Sequence, residues 1–141
     1  MSNAKAERLL IADDDPNLLA AYLQFFEAYG YTIQTAANGV GALAVYYAWR
    51  PDVVMLDIQM PGIDGCAVAR AIRLINVVPS PLLLAVTALC APSDRAESLN
   101  AGFDSHFEKP AQLPAILAAM ASSTIISRHA PGRKSGGFAV P

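Results

Sequence analysis

Apolar residues in this chain gather in short continuous runs, and between the runs they recur at the spacing of a helix face. The clearest runs are Leu9-Leu10-Ile11-Ala12, Val53-Val54-Met55-Leu56 and Leu82-Leu83-Leu84-Ala85-Val86. Runs alternating with longer stretches of helical period are the pattern of repeated βα units around a parallel sheet. The pattern predicts strands over 8–13, 31–36, 52–57, 81–87 and 103–107, and helices over 16–29, 38–49, 64–75, 92–101 and 111–121. Local punctuation agrees with these limits. Gly30 ends the first helix, Asn38-Gly39 opens the second, Pro61-Gly62 turns after the third strand and Gly102 stops the fourth helix. Pro114 falls in the first turn of the last helix, where a missing backbone donor costs little. From 123 to 141 the chain becomes rich in Ser, Gly, Pro and Arg without period, and is read as a disordered tail or linker following a domain over 1–122.

Polar side chains close the runs. Asp13 and Asp14 follow Leu9-Leu10-Ile11-Ala12, Asp57 follows Val53-Val54-Met55-Leu56, Thr87 follows Leu82-Leu83-Leu84-Ala85-Val86, and Lys109-Pro110 follows Phe107. In an open parallel sheet, ligand sites form in the crevice at the carboxyl ends of the strands, so these side chains are expected in one pocket. Carboxylates about 4 Å apart repel by roughly 4 kcal/mol per pair at an effective dielectric near 20, so three of them call for a cation. Mg²⁺ is the natural one, a hard ion that takes oxygen ligands and pairs with phosphate. Taken singly, each residue has a plainer role: Asp13-Asp14 as a helix cap, Asp57 as a turn residue, Thr87 as a strand residue, Lys109 as a surface charge. Their coincidence at successive strand ends is what points to chemistry.

Composition narrows the class. A chain of 141 residues with 54% hydrophobic content is long enough for one buried core. Charged residues make up only 16%, against about 25% in an ordinary soluble domain, so some apolar surface is expected to stay exposed. A net charge of −2 without a basic stripe argues against direct nucleic-acid binding. No apolar stretch has the length of a membrane span and the N-terminus lacks a signal-peptide core, which gives a cytoplasmic expectation. Cys66 and Cys90 make no disulfide framework and are expected to be reduced thiols.

Jointly, Asp13-Asp14, Asp57-Ile58-Gln59-Met60-Pro61-Gly62-Ile63-Asp64-Gly65, Thr87-Ala88 and Lys109-Pro110 resemble, in order and spacing, the receiver domain of bacterial two-component response regulators. The resemblance covers about residues 7–121. It implies a flavodoxin-like α/β fold: a doubly wound, five-stranded parallel sheet of order 2-1-3-4-5 flanked by five helices. It implies a signalling domain, with Asp57 taking a phosphoryl group from a sensor histidine kinase or phosphotransfer protein. Asp13, Asp14, Asp57 and the backbone carbonyl of Gln59 would hold Mg²⁺. Lys109 would pair with a phosphoryl oxygen across a cis Lys109-Pro110 bond, and Thr87 would donate its hydroxyl once phosphate is present.

The resemblance also implies that Gln59 and Leu89 flank the phosphoryl group and set its lifetime, with Thr87 and His106 forming the switch. His106 departs from the family's usual Tyr or Phe. The receiver would signal to an unknown downstream protein, by itself or as part of a hybrid kinase or longer regulator, and a homodimer is open. An aspartyl-phosphate phosphohydrolase is a remote alternative, because Gln59 stands where such an enzyme needs a second carboxylate. Counting Leu18, Tyr22, Phe25 and Tyr29 as the inward face of the first helix leaves Leu19, Leu23 and Phe26 beside it. That stripe either widens the core or receives a partner helix.

Overall fold

The computed structural model describes residues 7–75, 78–88 and 92–129. Strands and helices alternate along the chain as β1 (Arg8–Ala12), α1 (Pro16–Glu27), β2 (Thr32–Ala36), α2 (Gly39–Trp49), β3 (Val53–Leu56), α3 (Gly65–Ile75), β4 (Leu82–Thr87), α4 (Pro92–Ala101), β5 (Ser105–Glu108) and α5 (Leu113–His129). The five strands pair in parallel in the order β2-β1-β3-β4-β5. This is the expected doubly wound sheet.

The pleat explains why the central runs are apolar at every position. Successive side chains point to opposite faces of a strand, so a strand covered on both sides needs hydrophobic residues in both registers. Leu9, Ile11, Val53, Met55, Leu82, Leu84 and Val86 face one way, against Tyr22 and Phe26 of α1 and Ile116 and Met120 of α5. Leu10, Ala12, Val54, Leu56, Leu83 and Ala85 face the other, against Ala42 and Tyr46 of α2, Val68, Ala69 and Ile72 of α3, and Ala101 of α4.

Several boundaries differ from expectation. β1 and β3 end one residue before Asp13 and Asp57, although both aspartates still continue the ladder through their backbone amides, Asp13 to Ala36 (3.1 Å) and Asp57 to Ala12 (2.9 Å). β5 begins at Ser105 and not at 103, because Phe103 is spent filling the core under α3 and α4. α5 runs from Leu113 to His129, past the expected helix end at 121. No Gly or Pro interrupts the sequence between Pro114 and Pro131-Gly132. Residues 130–141 lie outside the described residues, as do Leu89 and Cys90. On α1 the inward face is wider than expected: Leu18, Tyr22 and Phe25 pack on the core, Phe26 is fully buried and Leu19 joins them, while Tyr29 is 60% exposed. The stripe at Leu19, Leu23 and Phe26 therefore belongs largely to the core.

One polar clamp joins α3 to the start of β4 and the α4–β5 turn. The Arg73 guanidinium donates from Nε to the Gly102 carbonyl (2.9 Å), from Nη1 to the Pro81 carbonyl (2.8 Å) and from Nη2 to Asp104 (2.9 Å). The same Asp104 oxygen accepts the Leu83 amide at 2.8 Å. Arg73→Met keeps the aliphatic stem and removes the cation beside Asp104 and the donors to the Gly102 and Pro81 carbonyls, so we expect a loss of about 2–4 kcal/mol in urea unfolding. Asp104→Asn should cost less, since its amide oxygen still accepts the Leu83 amide.

Candidate functional site

The sheet's apolar interior pushes its polar chemistry to the carboxyl ends. Asp13 follows β1, Asp57 follows β3, Thr87 ends β4 and Lys109 follows β5. Because β1 and β3 are neighbours, with Ala12 paired to Leu56, the next residues Asp13 and Asp57 stand side by side. Both are buried, at 2% and 5% exposure. The Lys109 ammonium donates to Asp13 Oδ2 at 2.9 Å and to Asp57 Oδ2 at 3.0 Å. The other oxygen of each carboxylate accepts a local amide: Asp15 N–H to Asp13 Oδ1 (2.9 Å) and Gln59 N–H to Asp57 Oδ1 (3.1 Å).

Asp14 stands exposed at the rim. Asp13, Asp14 and Asp57 each offer an oxygen within 4.8 Å of the others. Three carboxylates and one ammonium leave a formal charge of −3 + 1 = −2, which a divalent cation would neutralise. Helix capping does not compete for these side chains, because Asp15 caps α1 by accepting the Asn17 amide and Pro16 opens the helix.

Burial pushes the Asp57 carboxyl above its ordinary range; Lys109 opposes this, Asp13 adds to it, and the Gln59 amide opposes it. Burial disfavours the Lys109 ammonium too, but its hydrogen bonds to Asp13 and Asp57 outweigh that and hold its pKa up. Burial likewise raises the phenol of Tyr22 on α1, which feels the charges of Lys109, Asp13 and Asp57 from beneath the site. The Lys109-Pro110 bond is cis.

Thr87 is fully buried, and its carbonyl accepts the Lys109 amide at 2.9 Å. His106, on β5 opposite Ala85, turns toward α4, where Nδ1 lies 3.1 Å from the hydroxyl of the buried Ser98. That hydroxyl in turn donates to the Asp94 carbonyl at 3.0 Å. Both bonds form together when Nδ1 carries the ring proton. Gln59 is exposed, so its side chain stands in solvent beside Asp57.

Two glycines escaped the reading of the sequence as site residues. A Cβ on Gly65 would lie 2.5 Å from the Asp57 carbonyl, and one on Gly39 would lie 2.3 Å from the Ile63 carbonyl. Both press against backbone of the β3–α3 loop and so fix the path that leaves Asp57. Only their places after Asp64 and Asn38 hinted at this.

The family model for the response regulator receiver domain matches residues 9–121. The chain belongs to the response regulator receiver family. It is 35% identical over 113 residues to the response regulator MprA of Mycobacterium ulcerans, covering 80% of this chain and 48% of that protein. The receiver thus spans about half the length of the curated relatives it matches. Among solved structures it resembles a CheY-like receiver domain protein from Methanospirillum hungatei, at TM-score 0.80 and 25% identity over 88% of this chain and 98% of that one. The Vibrio cholerae chemotaxis protein CheY4 superposes at TM-score 0.77, again with 25% identity, over 83% and 98% of the two chains. This is a signalling domain family rather than one of conventional enzymes, and its acidic pocket is the Asp13, Asp14, Asp57 group. No helix among the described residues is long and apolar enough to cross a membrane.

The raised pKa of Asp57 makes the receiver's stability depend on its charge. A carboxyl whose folded pKa lies above its unfolded value of 3.8 supports the fold below that value, and the support is lost as pH rises through the folded pKa. At neutral pH ionised Asp57 is a net cost. In chelator at pH 7, Asp57→Asn should melt a few degrees above the wild-type receiver, with the gap closing toward pH 3. A lower melting temperature at pH 7 would contradict the assigned direction.

Proposed function

We propose that this receiver takes a phosphoryl group on Asp57 from the phosphohistidine of a sensor kinase or phosphotransfer protein, and signals by changing its affinity for a downstream protein. The observation that carries this reading is the Lys109 ammonium held 2.9 Å from Asp13 and 3.0 Å from Asp57 at adjoining strand ends. A carboxylate oxygen of Asp57 attacks phosphorus, the bond from phosphorus to the imidazole nitrogen breaks, and its electron pair leaves with the imidazole. The product is an acyl phosphate. The equatorial oxygens carry the charge of this transfer, so catalysis rests on cations placed beside them.

Lys109 is one such cation. As phosphate forms on Asp57, the ammonium exchanges part of its carboxylate pairing for a phosphoryl oxygen. Thr87, ending the neighbouring strand, supplies a hydroxyl donor. Asp13, Asp14, Asp57 and the Gln59 carbonyl would hold Mg²⁺, whose contribution is charge neutralisation and alignment of the phosphoryl oxygens. The donor set fits: all ligands are oxygens, and the cluster's formal charge is −2.

The site is open, flanked by a cleft of about 480 Å³ lined by Gln59, Met60, Asp64, Cys66 and Glu97 and another of about 460 Å³ lined by Phe107, Lys109 and Gln112. Such a surface suits a protein-borne phosphohistidine better than an enclosed small substrate. For readout we assign Thr87 and His106, the latter on β5, bonded to Ser98 of α4 and three residues before Lys109, which follows that strand. Whether the chain acts alone or within a hybrid kinase or longer regulator is set by what adjoins it.

Acetyl phosphate in Mg²⁺ should label the wild-type receiver once, detected by intact mass or beryllofluoride competition. Asp57→Asn should abolish labelling, and label on another residue at the wild-type rate would refute the reading. Lys109→Ala should slow labelling about 10²- to 10³-fold with the fold retained. Asp14→Ala should raise the Mg²⁺ concentration needed, read as a weaker thermal shift on titrating the metal.

A further inference from the structure

The alternation that builds the core also decides which face of the sheet carries the site. Ile11 on β1, Met55 on β3 and Phe107 on β5 all pack in the layer of α1 and α5. The residues two further on, of the same parity, are Asp13, Asp57 and Lys109. Each continues its ladder by one more backbone bond, Asp13 to Ala36, Asp57 to Ala12 and Lys109 to Thr87, so the alternation holds up to them. The two carboxylates and the ammonium therefore rise from the α1 and α5 face, and Thr87, next to Val86, rises from the other.

Lys109 reaches its partners across the sheet. From the end of β5 its stem passes β4 to meet Asp57, and passes β4 and β3 to meet Asp13. A four-carbon chain laid out in this way gives up most of its rotamer freedom, so its position depends on what holds the charged end.

Tyr22 stands on that face, below the charged end. α1 begins at the site, where the Asp15 amide bonds Asp13 and Asp15 caps the helix, and it runs away from there. Its buried residues are Tyr22 and Phe26, of which Tyr22 is the nearer by a full turn. Helical side chains lean toward the N-terminus, so the Tyr22 ring leans toward the site. The residue is 4% exposed and shares one core cluster with Ile11 and Met55, against which Phe107 packs. Of the charges that act on its phenol, Lys109 is felt most, then Asp13, Asp57 and Asp15. A Leu or Phe would fill the same core; the oxygen is the part that packing does not require.

A phenol suits this place chemically. An ammonium has three donors, and Lys109 directs one to Asp13 and one to Asp57. Once Asp57 is an acyl phosphate, Lys109 turns to a phosphoryl oxygen and loses part of its carboxylate pairing. An uncharged oxygen can steady the ammonium through that exchange and leave its attraction for phosphate intact. A further carboxylate could not. Burial and the neighbouring carboxylates keep the phenol protonated and neutral.

We propose that Tyr22 is a positioning residue of the phosphoacceptor site, its hydroxyl accepting from the Lys109 ammonium on the α1 side and keeping it aligned with the phosphoryl oxygens during transfer. The inference rests on the reading of Asp57 as phosphoacceptor.

Tyr22→Phe keeps the ring and removes the oxygen alone. It should slow acetyl-phosphate labelling about tenfold and weaken beryllofluoride binding by a similar factor. The melting temperature in chelator should not fall, and the Mg²⁺ concentration for half-maximal rate should not move. In a Lys109→Ala background the same substitution should change the labelling rate by less than about twofold, because the hydroxyl acts through the ammonium. Equal slowing in both backgrounds would mark Tyr22 as a core residue only and overturn the proposal. A wild-type rate for Tyr22→Phe would overturn it too, as would a raised Mg²⁺ requirement, which would assign the hydroxyl to Asp13. A wild-type receiver that takes no label would instead bring down the phosphoacceptor reading, and this inference with it.

Discussion

Two buried carboxylates side by side are unstable without a cation, and the ammonium of Lys109 between Asp13 and Asp57 is what lets them coexist. At about 4 Å and an effective dielectric near 20 the pair alone would repel by roughly 4 kcal/mol. Lys109 comes from the far end of the chain, 96 residues beyond Asp13. The contact therefore demands that β1, β3 and β5 end at the same level of the sheet. That level is set by the registers Ala12 to Leu56, Leu56 to Ala85 and Thr87 to Glu108. A slip of two residues in any of them would carry the ammonium about 7 Å away. Packing of the apolar interior thus fixes the electrostatics of the site.

The arrangement is balanced short of full neutralisation. Lys109 answers one of three charges, and burial still holds Asp57 above its usual range. A site fully satisfied by its own residues would have little to gain from a metal or a phosphoryl group. Here the deficit of positive charge remains at the rim, where Asp14 is exposed and small ions reach it.

The central strands were legible because both faces of β1, β3 and β4 are covered, which forces unbroken apolar runs that few other structures require. The edges were harder. β5 carries polar residues in a strand of four, and Phe103 before it mimics a strand residue while serving as a core plug. On α1, six large apolar side chains spread over more than half the circumference, and a count at helical spacing does not choose which stripe faces inward. The sheet does, placing Tyr22 and Phe26 inward and leaving Tyr29 in solvent. The acidic cluster was readable in its members, since each follows an apolar run. The roles of Gly39 and Gly65 were not, because a missing Cβ has meaning only once the opposing backbone is in place.

The helices are not equally committed to the sheet. α1, α3 and α5 bury large apolar side chains, such as Phe26, Ile72 and Ile116. α4 has Ala101 and Ser98 buried among its described side chains, and its ties to β5 are polar: Ser98 to His106 and Arg95 to Glu108. The Arg95 pair is half-exposed, and such pairs contribute about 1 kcal/mol or less. A neutral hydrogen bond contributes about as much. Regulation by coupled sites needs only about 1–3 kcal/mol, so a surface held by contacts of that size can be rearranged where one held by buried aromatics cannot. β5 carries His106 and Glu108 on the α4 side of this balance and leads directly into Lys109 on the other. A change in what Lys109 pairs with is thus applied to the strand that α4 holds through polar contacts.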